Sequence, residues 1–237
     1  MFLILKLFNL IANIMKNDNN PNDIKIGASY QGGIIFYIFQ EGDLGYIAGE
    51  VHGLIASSKE KWVNGGIEWG YGKDGEVVGA RGTAIGTGAQ NTLDILTECT
   101  IEIDPINDEI AAKLCANYEV TENGVTYNDW FLPSKDELNQ LYLFNCYLGS
   151  KNTPPAKKKS PDDWFGNYYP HRIKGIIDVP HQGNPEEINY DLALYWSSSS
   201  NDDGIWFQNF RETNQKYSQE LAEEPYTAGC VRAIRAF

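Results

Sequence analysis

Residues 129–142, reading DWFLPSKDELNQLY, constrain the fold more than any other stretch of the chain. Trp130, Phe131 and Leu132 form an apolar run of strand-forming residues that is too short for a helix. Pro133 ends the run, because its ring removes the backbone donor that a ladder needs. Ser134 then caps a helix, and Glu137, three residues on, completes a capping box. Leu138, Leu141 and Tyr142 follow at i, i+3 and i+4, so this helix has one apolar face to bury. The stretch therefore predicts a strand, a sharp stop and a capped helix, and the rest of the chain must supply the core they pack on.

A chain of 237 residues can bury one substantial core with appendages. Its 19 basic against 32 acidic residues give a net charge of −13, which argues against a phosphate backbone as partner, so no nucleic acid is expected. Cys99, Cys115, Cys146 and Cys230 show no C-x-x-C spacing, which argues against structural zinc. Small thiols packed in a core account for them, and at most one disulfide is expected.

Residues 1–15, MFLILKLFNLIANIM, are strongly apolar but short for a membrane span. As a signal peptide the stretch is flawed, because Lys6 interrupts it and no A-x-A site follows. A buried or partner-facing helix and a misplaced start remain as readings. Residues 16–23, KNDNNPND, form a polar tether. The division is thus an apolar segment and tether over residues 1–24, then a domain over 25–237 with an insertion at about 149–191.

Within the domain, residues 34–39 (IIFYIF) suit a strand buried on both faces. Residues 46–57 read as another strand or two, broken by Gly49 and Gly53. The Gly-rich stretch 62–88 is mostly loop, anchored by Trp62, Trp69 and Tyr71. Its end, GTAIGTG over residues 82–88, lacks the Gly-Lys-Ser/Thr ending of a phosphate loop and instead caps a helix over about residues 91–97. A further helix is expected over about 107–117, with Ile110, Leu114 and Cys115 as its apolar stripe. Asp108 and Glu109 favour the positive end of its dipole.

The last third alternates like strands. Tyr195 and Trp196 lead into Ser197, Ser198, Ser199 and Ser200, a turn at 201–204 (NDDG), and residues 205–210 (IWFQNF). Alternation sets Trp206, Gln208 and Phe210 on one face and Phe207, Asn209 and Arg211 on the other. A final strand is expected over residues 230–237.

DWFLPSKDELNQLY, YWSSS, IWFQNF and the terminal VRAIRAF, taken in order, resemble the C-terminal domain of the bacterial collagen-like adhesin (the Lcl C-terminal domain). They also resemble the related Fibrobacter-type paralogous domain. Upstream, IGASYQGGIIFYI, GLIAS, GTAIGTGAQNT and AAKLCANY are similar to members of the same group from gut Bacteroidetes and their phages. The resemblance covers about residues 25–148 and 192–237, and omits the insertion and the apolar N-terminus. It implies an α+β, C-type lectin-like fold: a small antiparallel sheet flanked by two main helices, N- and C-terminal strands paired, and long Gly-rich and inserted loops.

The same resemblance implies a non-enzymatic binding module, an adhesin or the receptor-binding tip of a phage fibre. It would be extracellular, on a virion or a bacterial surface, and would recognise a host-cell glycan or surface protein. Some relatives are diversified by retroelements in their last strands and loops. Carried onto this chain, Asn201, Asp202, Asp203, Phe207, Asn209, Arg211, Thr213, Asn214 and Lys216 would face the ligand. Phe207 is the expected anchor, with Trp206 and Phe210 turned to the core. The alternative is a structural or oligomerisation cap of a fibre, a homotrimer being one candidate, with the N-terminal segment docking a fibre or virion partner.

A formylglycine-generating-type oxidase is the remaining relative, and it needs a cysteine pair that the spacing does not suggest. His52, His171 and His181 are isolated, and no Ser-His-Asp arrangement is apparent, so no catalytic residue is assigned. No cofactor is required. Calcium stays open at the hard oxygens of Asn201, Asp202 and Asp203, as it would at any acidic turn.

Overall fold

The structure, a computed structural model, describes residues 24–58, 67–70, 80–99, 110–149, 194–202, 204–209, 219–220 and 229–237. The insertion, the apolar N-terminus, Trp62, Tyr71, Asp108 and Glu109 lie outside these residues. The architecture is α+β, with small antiparallel sheets and few helices. One sheet has the order β1 (Ser29–Tyr30), β2 (Gly33–Ile38), β3 (Gly53–Ser57) and β9 (Ile234–Ala236). Between β3 and β9 come α1 (Gly88–Glu98), α2 (Ala111–Ala116), β4 (Val120–Glu122), β5 (Val125–Tyr127), α3 (Lys135–Gly149), β6 (Leu194–Asn201), β7 (Gly204–Asn209) and β8 (Gln219–Glu220).

The expected direct pairing of residues 34–39 with 231–237 is corrected: β3 lies between β2 and β9, antiparallel to both. All five residues of β3 are buried, so each of its edges needs a ladder, and the centre of the sheet supplies both. Glycine permits the fit, because a Cβ on Gly53 would stand 2.2 Å from the carbonyl oxygen of Tyr37. The first and last strands of the domain share this sheet at its opposite edges, β1 and β9, and Gly53 of β3 exchanges backbone bonds of 3.3 and 3.1 Å with Phe237. Residues 46–52, expected within a strand or two, lie outside any strand, whereas β2 buries Ile35 on one face and Phe36 on the other.

Alternation divides the core into two layers on either side of this sheet. Ile35 and Ile55 join Trp69, Ile95, Trp130, Leu132, Trp196 and Phe207 on one side. Phe36, Leu54 and Ala56 join Phe131, Leu138, Leu141, Tyr142 and Tyr195 on the other. The capping box forms as expected: Ser134 N donates to Glu137 Oε2 at 2.7 Å, and Glu137 N donates to Ser134 Oγ at 3.3 Å. Leu138 and Leu141 are fully buried under it.

Two expectations shrink. Residues 130–132 make a single bridge, Phe131 with Ile234 through bonds of 2.8 and 3.0 Å, because Pro133 cannot extend the ladder. The second helix is described from Ala111, preceded by Ile110 in an extended conformation. Leu114 in it is half-buried, and Cys115 is buried. Cys99, Cys115 and Cys230 are buried as thiols; the side chain of Cys146 lies outside the described residues. Among the described residues, no helix is long and apolar enough to cross a membrane.

Candidate functional site

The four serines after Trp196 organise one end of the molecule. Pairing runs from Trp196 opposite Phe207 to Ser200 opposite Ile205, so β6 carries two more residues than β7 over this span and must bulge. The bulge turns serine donors away from the ladder and towards other elements. Ser198 N donates to the Pro133 carbonyl at 2.7 Å, Ser199 Oγ to Gly82 O at 2.6 Å, and Ser200 N to Ala80 O at 2.7 Å. Ser199 Oγ also accepts from Lys135 N at 2.9 Å, at the first turn of α3. All four serines are buried. Sequence patterning gave them no role, although a polar run inside a strand is itself a sign that hydroxyls replace ladder bonds.

Loop 82–88 is clamped against the same bulge. Asn91 on α1 brackets Gly82, accepting its N–H at 3.1 Å and donating to its carbonyl at 2.6 Å. Asp136 N donates to Thr83 O at 3.0 Å, and Ser134 Oγ to Ala84 O at 2.9 Å. The fully buried carboxylate of Glu137 accepts from Gly86 N at 2.8 Å in addition to Ser134 N. Burial pushes its pKa up to about 7, while the amides of Ser134, Gly86 and Gly88 oppose that rise. Gly88 is required here, because a Cβ would stand 2.2 Å from Glu137 Oε2. The loop leads into α1, but its last residue, Thr87, makes no side-chain bond to the helix; the Gly88 amide is met by Glu137 instead.

On this rigid base stands the 201–204 turn, closing the β6–β7 hairpin with Asn201 opposite Gly204. Asp202 is exposed and pairs with the guanidinium of Arg81, which holds its carboxyl below the ordinary range. Beside it, the ammonium of Lys135 lies 4.5 Å from the ring centroid of Trp206, a half-buried side chain. Arg81, Asn201, Asp202, Lys135 and Trp206 therefore share one end of the molecule: an aromatic face, two cations, a carboxylate and an amide.

The expected anchor is corrected. Phe207 is only 2 % exposed and meets Trp196 edge-on, with centroids 5.9 Å apart. Trp206 takes the outer position, next to α3. The reason is cross-strand: Trp196 lies directly opposite Phe207 and donates its indole N–H to Ile67 O at 2.7 Å, which fixes that face inward. Gln208 is fully buried although it shares the Trp206 side of the alternation, and neither of its amide atoms has a hydrogen-bond partner among the described residues. Asn201 is half-buried. Asp203, Phe210, Arg211, Thr213, Asn214 and Lys216 lie outside the described residues, as does the side chain of Asn209. Arg81 and Lys135 at this candidate site were not singled out by sequence, and Trp206 was expected to face the core.

Among the described residues, no group of three or more His, Cys, Asp or Glu could hold a metal ion. Asp202, one of the three residues left open for calcium, is engaged by Arg81. His52 makes a 2.7 Å contact with Glu50 and a 3.0 Å contact with the Phe237 carbonyl, which raise its pKa. No family model, curated protein or solved structure matches the chain at a significant level.

Proposed function

We propose that the domain is a non-enzymatic ligand-binding module with a C-type lectin-like fold, acting outside the cell on a phage virion or bacterial surface. The observation that carries this reading is the Trp206 ring held at the surface under Lys135, beside the Arg81–Asp202 pair. A half-buried indole can offer the part of its face left at the surface to the C–H side of a sugar, and the guanidinium, carboxylate and amide at the same end of the hairpin supply donors and acceptors to its hydroxyls. A protein epitope with an aromatic or methyl-rich centre would use the same groups. The sharing of one sheet by the domain's first and last strands supports the fold assignment. Burial raises the pKa of the Cys115 thiol, the opposite of a redox-active thiolate, which favours binding over oxidase chemistry.

Binding to a glycan array and to bacterial cells tests the reading. Trp206→Ala should weaken binding about thirtyfold, the cost of about 2 kcal/mol expected for a central ring. Arg81→Ala should weaken it less. If both variants bind like the parent protein, the ligand surface lies elsewhere and the proposal fails.

A further inference from the structure

His52 stands where the loop over residues 40–52 rejoins the main sheet, and it fastens that junction on several sides. Its carbonyl accepts from Phe39 N at 2.9 Å, just beyond the end of β2. Its ring reaches in two other directions. Nε2 lies 2.7 Å from Glu50 Oε2, and Nδ1 lies 3.0 Å from the Phe237 carbonyl oxygen. A turn fixes Glu50 in place: Glu50 N donates to Ile47 O at 3.1 Å, with Gly49 at a φ of +86°. Phe237 is held by its two bonds with Gly53, and its ring meets Tyr30 edge-on with centroids 5.1 Å apart.

Both partners of the ring are acceptors, and that decides the proton count. A carboxylate and a carbonyl oxygen offer only lone pairs, while a neutral imidazole carries a single N–H. The two contacts are satisfied together only by the imidazolium, which donates from both nitrogens. Deprotonation sets a ring lone pair against an oxygen. The remaining proton stays on Nε2, because the carboxylate is the stronger acceptor and the closer one. The Phe237 contact is then the one that opens.

Among the described residues, the neighbouring elements direct their titratable groups elsewhere. On β2, the Tyr37 hydroxyl donates to Asp43. On β9, the Arg235 guanidinium donates to Asp129 and Gln31. β3, reading GLIAS, carries no titratable side chain. The Glu50 contact first, then the Phe237 contact, raise the ring's pKa above its ordinary 6.5, and burial opposes them only in part. A raised folded pKa keeps both bonds complete below pH 6.5 and removes one as pH rises through the folded value.

We infer that His52 is a pH-sensitive latch. Protonated, it ties the 40–52 loop to the end of β9; neutral, it lets that end go. The loop it fastens exposes Leu44, Ile47 and Val51, so the latch sets how firmly an apolar surface is held. The device does not depend on the binding role argued above.

Proton and nitrogen NMR of the full chain tests the latch, with the His52 ring assigned by the loss of its signals in His52→Gln. The His52 midpoint should lie above 6.5, and Glu50→Gln should bring it down towards that value. Above the midpoint, the nitrogen shifts should place the proton on Nε2. Amide exchange at Gly53 and Phe237, corrected for its intrinsic pH dependence, should quicken about fivefold across the same titration, as one modest hydrogen bond is lost. The Ile35 amide, bonded to Ala28 O, should not change. His52→Gln should remove the pH dependence at Gly53 and Phe237, which separates the latch from the titration of Glu137. A midpoint at or below 6.5, or one that Glu50→Gln leaves unmoved, overturns the proposal. So does a neutral ring with its proton on Nδ1, or exchange at Gly53 and Phe237 that ignores the titration.

Discussion

The two hairpins of this domain are built on opposite logics. The β4–β5 hairpin has three-residue strands, exposed or half-buried throughout, and a turn of Asn123 and Gly124 with φ of +52° and +81°. Its turn conformation and a 2.9 Å bond between the hydroxyls of Thr121 and Thr126 are local. Its outside contacts lie at its edge: Val120 and Tyr127 against the core, the Tyr127 ring under Arg235, and bonds to Glu122 Oε2 from Gly32 N and to Tyr127 O from the Trp130 indole. The β6–β7 hairpin is anchored from outside. Its bulged serines bond to loop 80–82 and to the start of α3, Trp196 to Ile67, and Phe207 sits in the core. A hairpin of the first kind is specified by its own residues. The faces of the second are set by what the rest of the chain brings to it.

The sharpest way to break this comparison is at the adjacent rings of β7. Phe207→Ala empties a buried aromatic site and should cost about 3–5 kcal/mol. Trp206→Ala loses a half-buried ring and its ammonium partner, about 1 kcal/mol. Urea unfolding of the two variants measures both values. A larger loss for Trp206→Ala would mean that the strand presents the opposite face to the core.

Glu137 offers the next largest effect, because it ties the hairpin's base to α3 and loop 82–88. Its folded pKa of about 7 lies above its ordinary 4.5, so the fold binds the proton more tightly than the unfolded chain does. Its stabilisation is therefore complete below about pH 4.5 and is lost as pH rises through about 7. Between pH 5 and 8 the melting temperature should fall, by an amount equivalent to at most about 3 kcal/mol. Half-buried His52 contributes a slope of the same sign, so the variant rather than the bare profile isolates Glu137. Glu137→Gln should flatten the slope. It should also cost about 1–3 kcal/mol at pH 6, since an amide nitrogen would face backbone N–H donors. An unchanged slope would assign the titration to another group.

These contrasts explain how much was legible in the sequence. The capping box at Ser134 and Glu137 and the apolar face of α3 are encoded within a few residues, and both are found. The position of β3 between β2 and β9 was not legible, because a Gly-broken pentapeptide does not announce that both its edges are buried. At the candidate site, alternation separated Trp206 from Phe207 but could not say which ring faces inward, since both strand faces carry aromatics. Arg81 and Lys135 reach the site from distant segments and carry no local signal. The β4–β5 hairpin is the converse case: Asn123-Gly124 between β-branched residues was a signal available in the sequence.

That signal leads to the smallest effect. Gly124 has φ of +81° and nothing within 4 Å of where a Cβ would stand, so a substitution there meets strain without collision. Gly124→Ala should cost about 1 kcal/mol, the penalty for a side chain in the left-handed region. Gly124→Asn should cost less, because asparagine tolerates that region. The hairpin touches the rest of the fold where Val120 crowds Gly32 and where Gly32 N donates to Glu122 Oε2 at 2.8 Å. Part of the loss should therefore appear as faster exchange confined to Val120–Glu122 and Val125–Tyr127, with β6 and β7 unaffected. If alanine and asparagine cost the same, backbone strain is not what the glycine relieves. If exchange quickens across β6–β7 as well, the two hairpins are coupled, and the division between local and tertiary specification does not hold.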